Sequence, residues 1–124
     1  MSKLETPLTK KYWRSVGGTL IDEFPAVAGS KDRARRLTDG VIIVGGKTRR
    51  AKASEVDLEG KDIIVIQTKA ERLGIYLIGQ ALFSPKLMSK FKPKSIKSVA
   101  ICTKSDAELL PLLKSYKNIE VVVL

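Results

Sequence analysis

The run KDIIVIQTKA, residues 61–70, constrains the fold more than any other segment. Its consecutive residues Ile63, Ile64, Val65 and Ile66 are all β-branched and leave no polar face, so a strand built from them is covered on both sides of its sheet. That places it at the centre of the sheet. With 124 residues the chain allows one ordinary core, and it reads as a single domain over residues 1–124. Hydrophobic residues at 44% and charged residues at 29% fit a folded chain rather than a disordered one.

The segments around this strand supply the rest of the sheet. LTKKYWRSV is expected to be a short helix starting near Pro7, with Leu8, Tyr12 and Val16 along one face, and Gly17 and Gly18 end it. TLIDEFPAV, residues 19–27, reads as a strand, and RLTDGVIIV, residues 36–44, as a second one closed by Gly45 and Gly46. Residues 47–61 are polar, with room for an edge strand near AKASEV. From Glu71 to Met88 the pattern is helical, with Pro85 breaking or kinking the last turn. SIKSVAICT is a further strand, SDAELLPLLKSY a helix capped by Ser105 or Asp106, and NIEVVVL the closing strand. The mixture predicts an α/β protein with a mixed central sheet flanked by helices.

Charge narrows the partners. Twenty-three Lys and Arg against thirteen Asp and Glu give a net charge of +10, a field that attracts polyanions. The surplus is concentrated in KDRARR, KTRRAK and KLMSKFKPKSIK, which nominates Arg35, Arg36, Arg49, Arg50, Lys90, Lys92 and Lys94 as contacts to nucleic-acid phosphates. Each run taken alone also fits a solvated loop. The chain has no histidine and one cysteine, Cys102. Zinc fingers, Ser-His-Asp and Cys-His hydrolysis and a disulfide framework are therefore excluded. The N-terminus lacks the apolar core of a signal peptide, and no stretch reaches the roughly 20 apolar residues of a membrane span. A cytoplasmic protein with no membrane partner is expected.

Alternation along the central strand puts Ile63, Val65, Gln67 and Lys69 on one face, which turns polar at its C-terminal end. In the preceding strand Asp39 comes first and the apolar run follows. If the two strands pair antiparallel, Asp39 lies beside Gln67 and Lys69. A carboxylate and an amide oxygen suit Mg²⁺, and a neighbouring lysine can orient water or stabilise phosphorane charge. Asp39 before Gly40 also fits a simple turn, and Gln67 and Lys69 also fit a strand end emerging into solvent.

The order of helix, strand, strand with Asp, turn and an apolar strand ending in an acid-x-Lys pattern, here RRLTDG and IIVIQTKA, resembles the PD-(D/E)XK nuclease superfamily, or restriction endonuclease-like fold. That resemblance implies an αβββαβ core over residues 6–103, with the last helix and strand as an extension. It further implies that Asp39 binds a metal, Mg²⁺ or Mn²⁺, that Gln67 stands at the second acid and shares the metal, and that Lys69 is the catalytic lysine. Gln67 departs from the usual Asp or Glu and removes one negative charge, although a Gln-x-Lys version occurs in the superfamily. The additional acid it implies is Glu5, at the start of the first helix, or Glu23, in the strand expected beside Asp39.

The function expected on this basis is metal-dependent hydrolysis of DNA phosphodiesters by an endonuclease-like enzyme. The alternative is a catalytically inactive nucleic-acid-binding module on the same fold. A third reading is a homodimer formed through the edge of NIEVVVL. Tyr76 and Gln80 share a helix face, and either pack or remain on the surface or face the site; of Tyr12 and Trp13 at least one belongs in the core. Cys102 reads as a buried small hydrophobe, and Gly45 and Gly46 as a turn rather than a phosphate loop.

Overall fold

The chain passes from α1 (Glu5–Val16) into β1 (Thr19–Asp22), β2 (Pro25–Val27), β3 (Arg36–Leu37), β4 (Gly40–Ile43), β5 (Arg49–Ala51) and β6 (Asp62–Thr68). After β6 come α2 (Ile75–Met88), β7 (Ser95–Cys102), α3 (Leu110–Leu113) and β8 (Ile119–Val123). This is a computed structural model, and it describes residues 3–124. Six strands form one mixed sheet in the order β5-β1-β4-β6-β7-β8, while β2 and β3 form a separate two-stranded ribbon. The β4–β6 pair is antiparallel, and β6, β7 and β8 run parallel. The expected α/β architecture, with a mixed central sheet flanked by helices, is present.

β6 lies inside the sheet and is buried from Ile63 to Thr68. Its alternate residues face opposite layers. Ile64 and Ile66 pack with Tyr12, Leu20 and Ile101 under α1, while Ile63 and Val65 pack with Val41, Phe24 and Met88 on the α2 side. Each large apolar side chain of this kind contributes about 1.5–3 kcal/mol on burial, which explains why the run is apolar on both faces. A third cluster, with Leu73, Leu77, Ala100 and Leu113, joins α2 and α3 to β7.

α1 begins two residues before Pro7, because a proline in the first turn forfeits only an N–H that no intrahelical acceptor would have used. It ends where Gly17 and Gly18 take φ of 75° and 83°. A β-carbon on Gly18 would lie 2.5 Å from the Ile43 carbonyl oxygen, so the turn into β1 needs glycine on both counts. Tyr12 is buried, whereas Val16, expected on the same face, is 47% exposed.

The two strands expected at residues 19–27 and 36–44 are each broken. Glu23 adopts φ of 48°, and opposite it the chain bends at Asp39. Before the bend β1 and β4 belong to the sheet; beyond it β2 and β3 peel away and pair with each other. The edge strand expected near AKASEV forms earlier, at Arg49–Ala51, followed by a 3₁₀ turn at Ala53–Glu55.

α2 keeps Pro85 inside it. Proline at this position cannot donate to the carbonyl four residues earlier, that of Ala81. The buried Ser98 hydroxyl of β7 donates to that carbonyl at 2.7 Å instead, which satisfies the group the proline leaves open. The last expected helix is shorter than its sequence pattern. Asp106 Oδ1 accepts the N–H groups of Glu108 and Leu109, capping a turn, and regular helix covers only four residues around Pro111.

Candidate functional site

The Gly40↔Ile66 register sets Asp39 beside Gln67 at the C-terminal end of the central strand, as the antiparallel reading requires. Asp39 N–H donates to the Ile66 carbonyl at 3.1 Å, and the Thr68 N–H donates to Asp39 Oδ2 at 2.7 Å. The carboxylate therefore lies against the strand end rather than in a turn facing water. Burial pushes its pKa up, the Thr68 N–H opposes this, and the carboxylates of Glu5 and Glu23 raise it further. Both acids left open by the sequence thus act on Asp39. Glu23 N–H approaches the Asp39 carbonyl at 3.4 Å, and the second turn of α1 is tied to the same strand end by a 2.8 Å bond between the Thr9 and Thr68 hydroxyls.

Gln67 is buried on the α2 face, where its Nε2 donates to Ser84 Oγ at 2.7 Å. Lys69 follows the end of β6. Its N–H donates to the Ile101 carbonyl at 2.9 Å, and its own carbonyl accepts from Glu71 at 2.7 Å, so the chain turns immediately after the lysine. Asp39 is thus held in the plane of the strand ends, Gln67 on one face of the sheet, and Lys69 at the turn. Among the described residues no three carboxylate or thiol side chains converge as a metal cluster.

A cleft of about 730 Å³ opens beside Gln67, between α2 and the β2–β3 ribbon. It exists because the ribbon peels away from the sheet at Glu23 and Asp39. Arg35, Arg36, Leu37 and Thr38 line it on the ribbon side, and Tyr76, Gly79, Gln80 and Phe83 line it on the helix side. Asp39 and Lys69 are not in its lining. Tyr76 is exposed rather than packed, and it shares the cleft with Gln80. Phe83, Gly79 and Ser84 went unnominated in the sequence. For Phe83 the signal was present, because apolar residues on α2 occupy both the sheet-facing stripe of Leu77, Ala81 and Met88 and a second stripe, of Tyr76 and Phe83, about a third of a turn away.

The basic candidates separate. Arg35 and Arg36 border the cleft. Arg50, on the edge strand β5, is held by Asp22, its Nε donating to Oδ2 at 2.9 Å, with Arg49 beside it. Lys90, Lys92 and Lys94 lie at the other end of β6, where Lys92 and Lys94 make backbone bonds to Gly60 and Lys61. Cys102 is buried in β7, and its burial raises the thiol pKa. No helix of the described residues is long and apolar enough to cross a membrane. No family model, curated protein or solved structure matches this chain.

Proposed function

We propose that the protein hydrolyses phosphodiester bonds in DNA with a divalent cation, Mg²⁺ or Mn²⁺, in the manner its resemblance to the PD-(D/E)XK nucleases implies. The observation carrying this reading is Asp39 beside Gln67 at the end of the central strand, with Lys69 two residues beyond. By donor type alone, the pair suits a weakly held hard cation. One carboxylate and one amide oxygen are enough for Mg²⁺, which retains several waters and takes further oxygens from substrate phosphate. Gln67 Nε2 is engaged by Ser84, so the amide oxygen is the atom it offers a cation. Bound there, the cation would neutralise phosphate charge and lower the pKa of a water. Lys69 orients the attacking water, and Arg35 and Arg36 hold the backbone through charge-assisted hydrogen bonds.

A second reading is favoured by Gln67 itself, whose neutral side chain removes a charge from the ligand set. In it the chain binds nucleic acid without cleaving it, and affinity comes from counterion release. A plasmid-nicking assay with and without Mg²⁺ or Mn²⁺, run beside oligonucleotide binding, separates the two. Hydrolysis predicts nicking that requires the metal and is lost in Asp39→Ala and Lys69→Ala, while Lys69→Ala keeps its fold and most of its binding. Nicking unchanged by Lys69→Ala overturns the mechanism. Binding by the wild type without nicking in either metal selects the second reading.

A further inference from the structure

One stripe of α2 presents apolar surface that the described chain leaves largely exposed. Tyr76 is 73% exposed and Phe83 64%, and a spacing of seven residues sets them two turns apart on one face. Between them lies Gly79, in a helix interior where glycine is disfavoured. A β-carbon there would meet nothing within 4 Å, so no contact inside the protein requires glycine. What its missing side chain does is leave the cleft wall open between the two rings.

The opposite wall is cationic. Arg35 and Arg36 line it, and neither is in an ion pair among the described residues. On the helix side the Lys86 ammonium lies 5.8 Å from the Phe83 ring centroid, outside the cleft lining. An occupant that satisfies both walls carries a flat apolar ring and negative charge on the same molecule, which describes a nucleotide. The cleft volume of about 730 Å³ is in the range that encloses a ligand of that size. Duplex DNA does not offer ring faces to such walls, because its bases are stacked on each other. Unpaired bases do, and aromatic side chains bind them whatever the sequence.

We propose that this cleft receives an unpaired base of a single-stranded nucleic acid, its ring against Tyr76 and Phe83 across Gly79 and its phosphates against Arg35 and Arg36. This rests on the nucleic-acid reading above and gives it a substrate class, single-stranded or locally opened strands. The test is fluorescence anisotropy without divalent metal, using a labelled single-stranded oligodeoxynucleotide and the corresponding duplex at one salt concentration. The wild type binds the single strand more tightly. Gly79→Leu, which projects into open space and is a better helix former, weakens single-strand binding by about tenfold or more with Tm unchanged or raised, and leaves duplex binding unaltered. Tyr76→Ala/Phe83→Ala acts in the same direction. Full single-strand affinity in both variants, or a wild-type preference for duplex, overturns the cleft assignment while the nucleic-acid reading stands. Failure of the wild type to bind either probe overturns both.

Discussion

Asp39 couples its position to its protonation. Burial and two neighbouring carboxylates make the folded protein bind its proton more tightly than the unfolded chain does, for which 3.8 is the ordinary value. The contribution of Asp39 to stability therefore falls as pH rises from 3.8 through the raised folded-state value, and the penalty persists above it. Asp39→Asn keeps an oxygen for the Thr68 N–H and removes the charge. Urea unfolding should find this variant more stable than the wild type at neutral pH, with the difference vanishing once both states are protonated below 3.8. Mg²⁺ should raise the unfolding midpoint of the wild type only, because a ligand stabilises just the state that binds it. Equal stability of the two proteins at neutral pH would count against a strained carboxylate. The pairing of Asp39 with Gln67 was legible in the sequence, since alternation and antiparallel direction decide which residues are opposite. Ser84 as the partner of Gln67 was not, because the bond depends on how α2 lies across the sheet.

At the scale of elements, α2 shows how one strand compensates for a defect in a helix. Pro85 opens the Ala81 carbonyl and Ser98 closes it, so the two positions are coupled although they belong to different elements. Ser98→Ala leaves that buried carbonyl without its donor and should cost about 1–3 kcal/mol. In Pro85→Ala, where the helical N–H returns, the same Ser98→Ala should cost clearly less. Chemical denaturation of the four proteins of this cycle measures the difference, and strictly additive costs would show that Ser98 has another role. The sequence exposed Pro85 as a break or kink but held no sign of its remedy, which comes from a residue of the next strand. The strands at residues 19–27 and 36–44 were legible as extended segments. Their common bend was not, because it depends on Glu23 entering a left-handed conformation that propensity disfavours.

For the whole molecule, the net charge of +10 predicts an anionic partner, but the fold decides which cations can act together. Arg35 and Arg36 line the cleft, whereas Lys90, Lys92 and Lys94 follow the end of α2 beside the start of β6 and are not in its lining. Replacing both arginines by alanine should weaken oligonucleotide binding and lower the salt slope by about one for each phosphate that is no longer neutralised. Replacing the three lysines should change both much less. Anisotropy across a salt series checks this, and an equal effect from the lysines would place the nucleic acid over both ends of the sheet. What the sequence alone determined is the central strand, the mixed sheet around it and the pairing of Asp39 with Gln67. Those follow from short-range patterns, β-branched runs and period-two alternation, which every strand carries in its own residues. Only the tertiary structure decided that a cleft exists, that Tyr76 faces it, and that the arginines share it while the lysines do not. The reason is that a cavity wall is made by elements far apart in sequence, and the angle at which the ribbon leaves the sheet has no local signature.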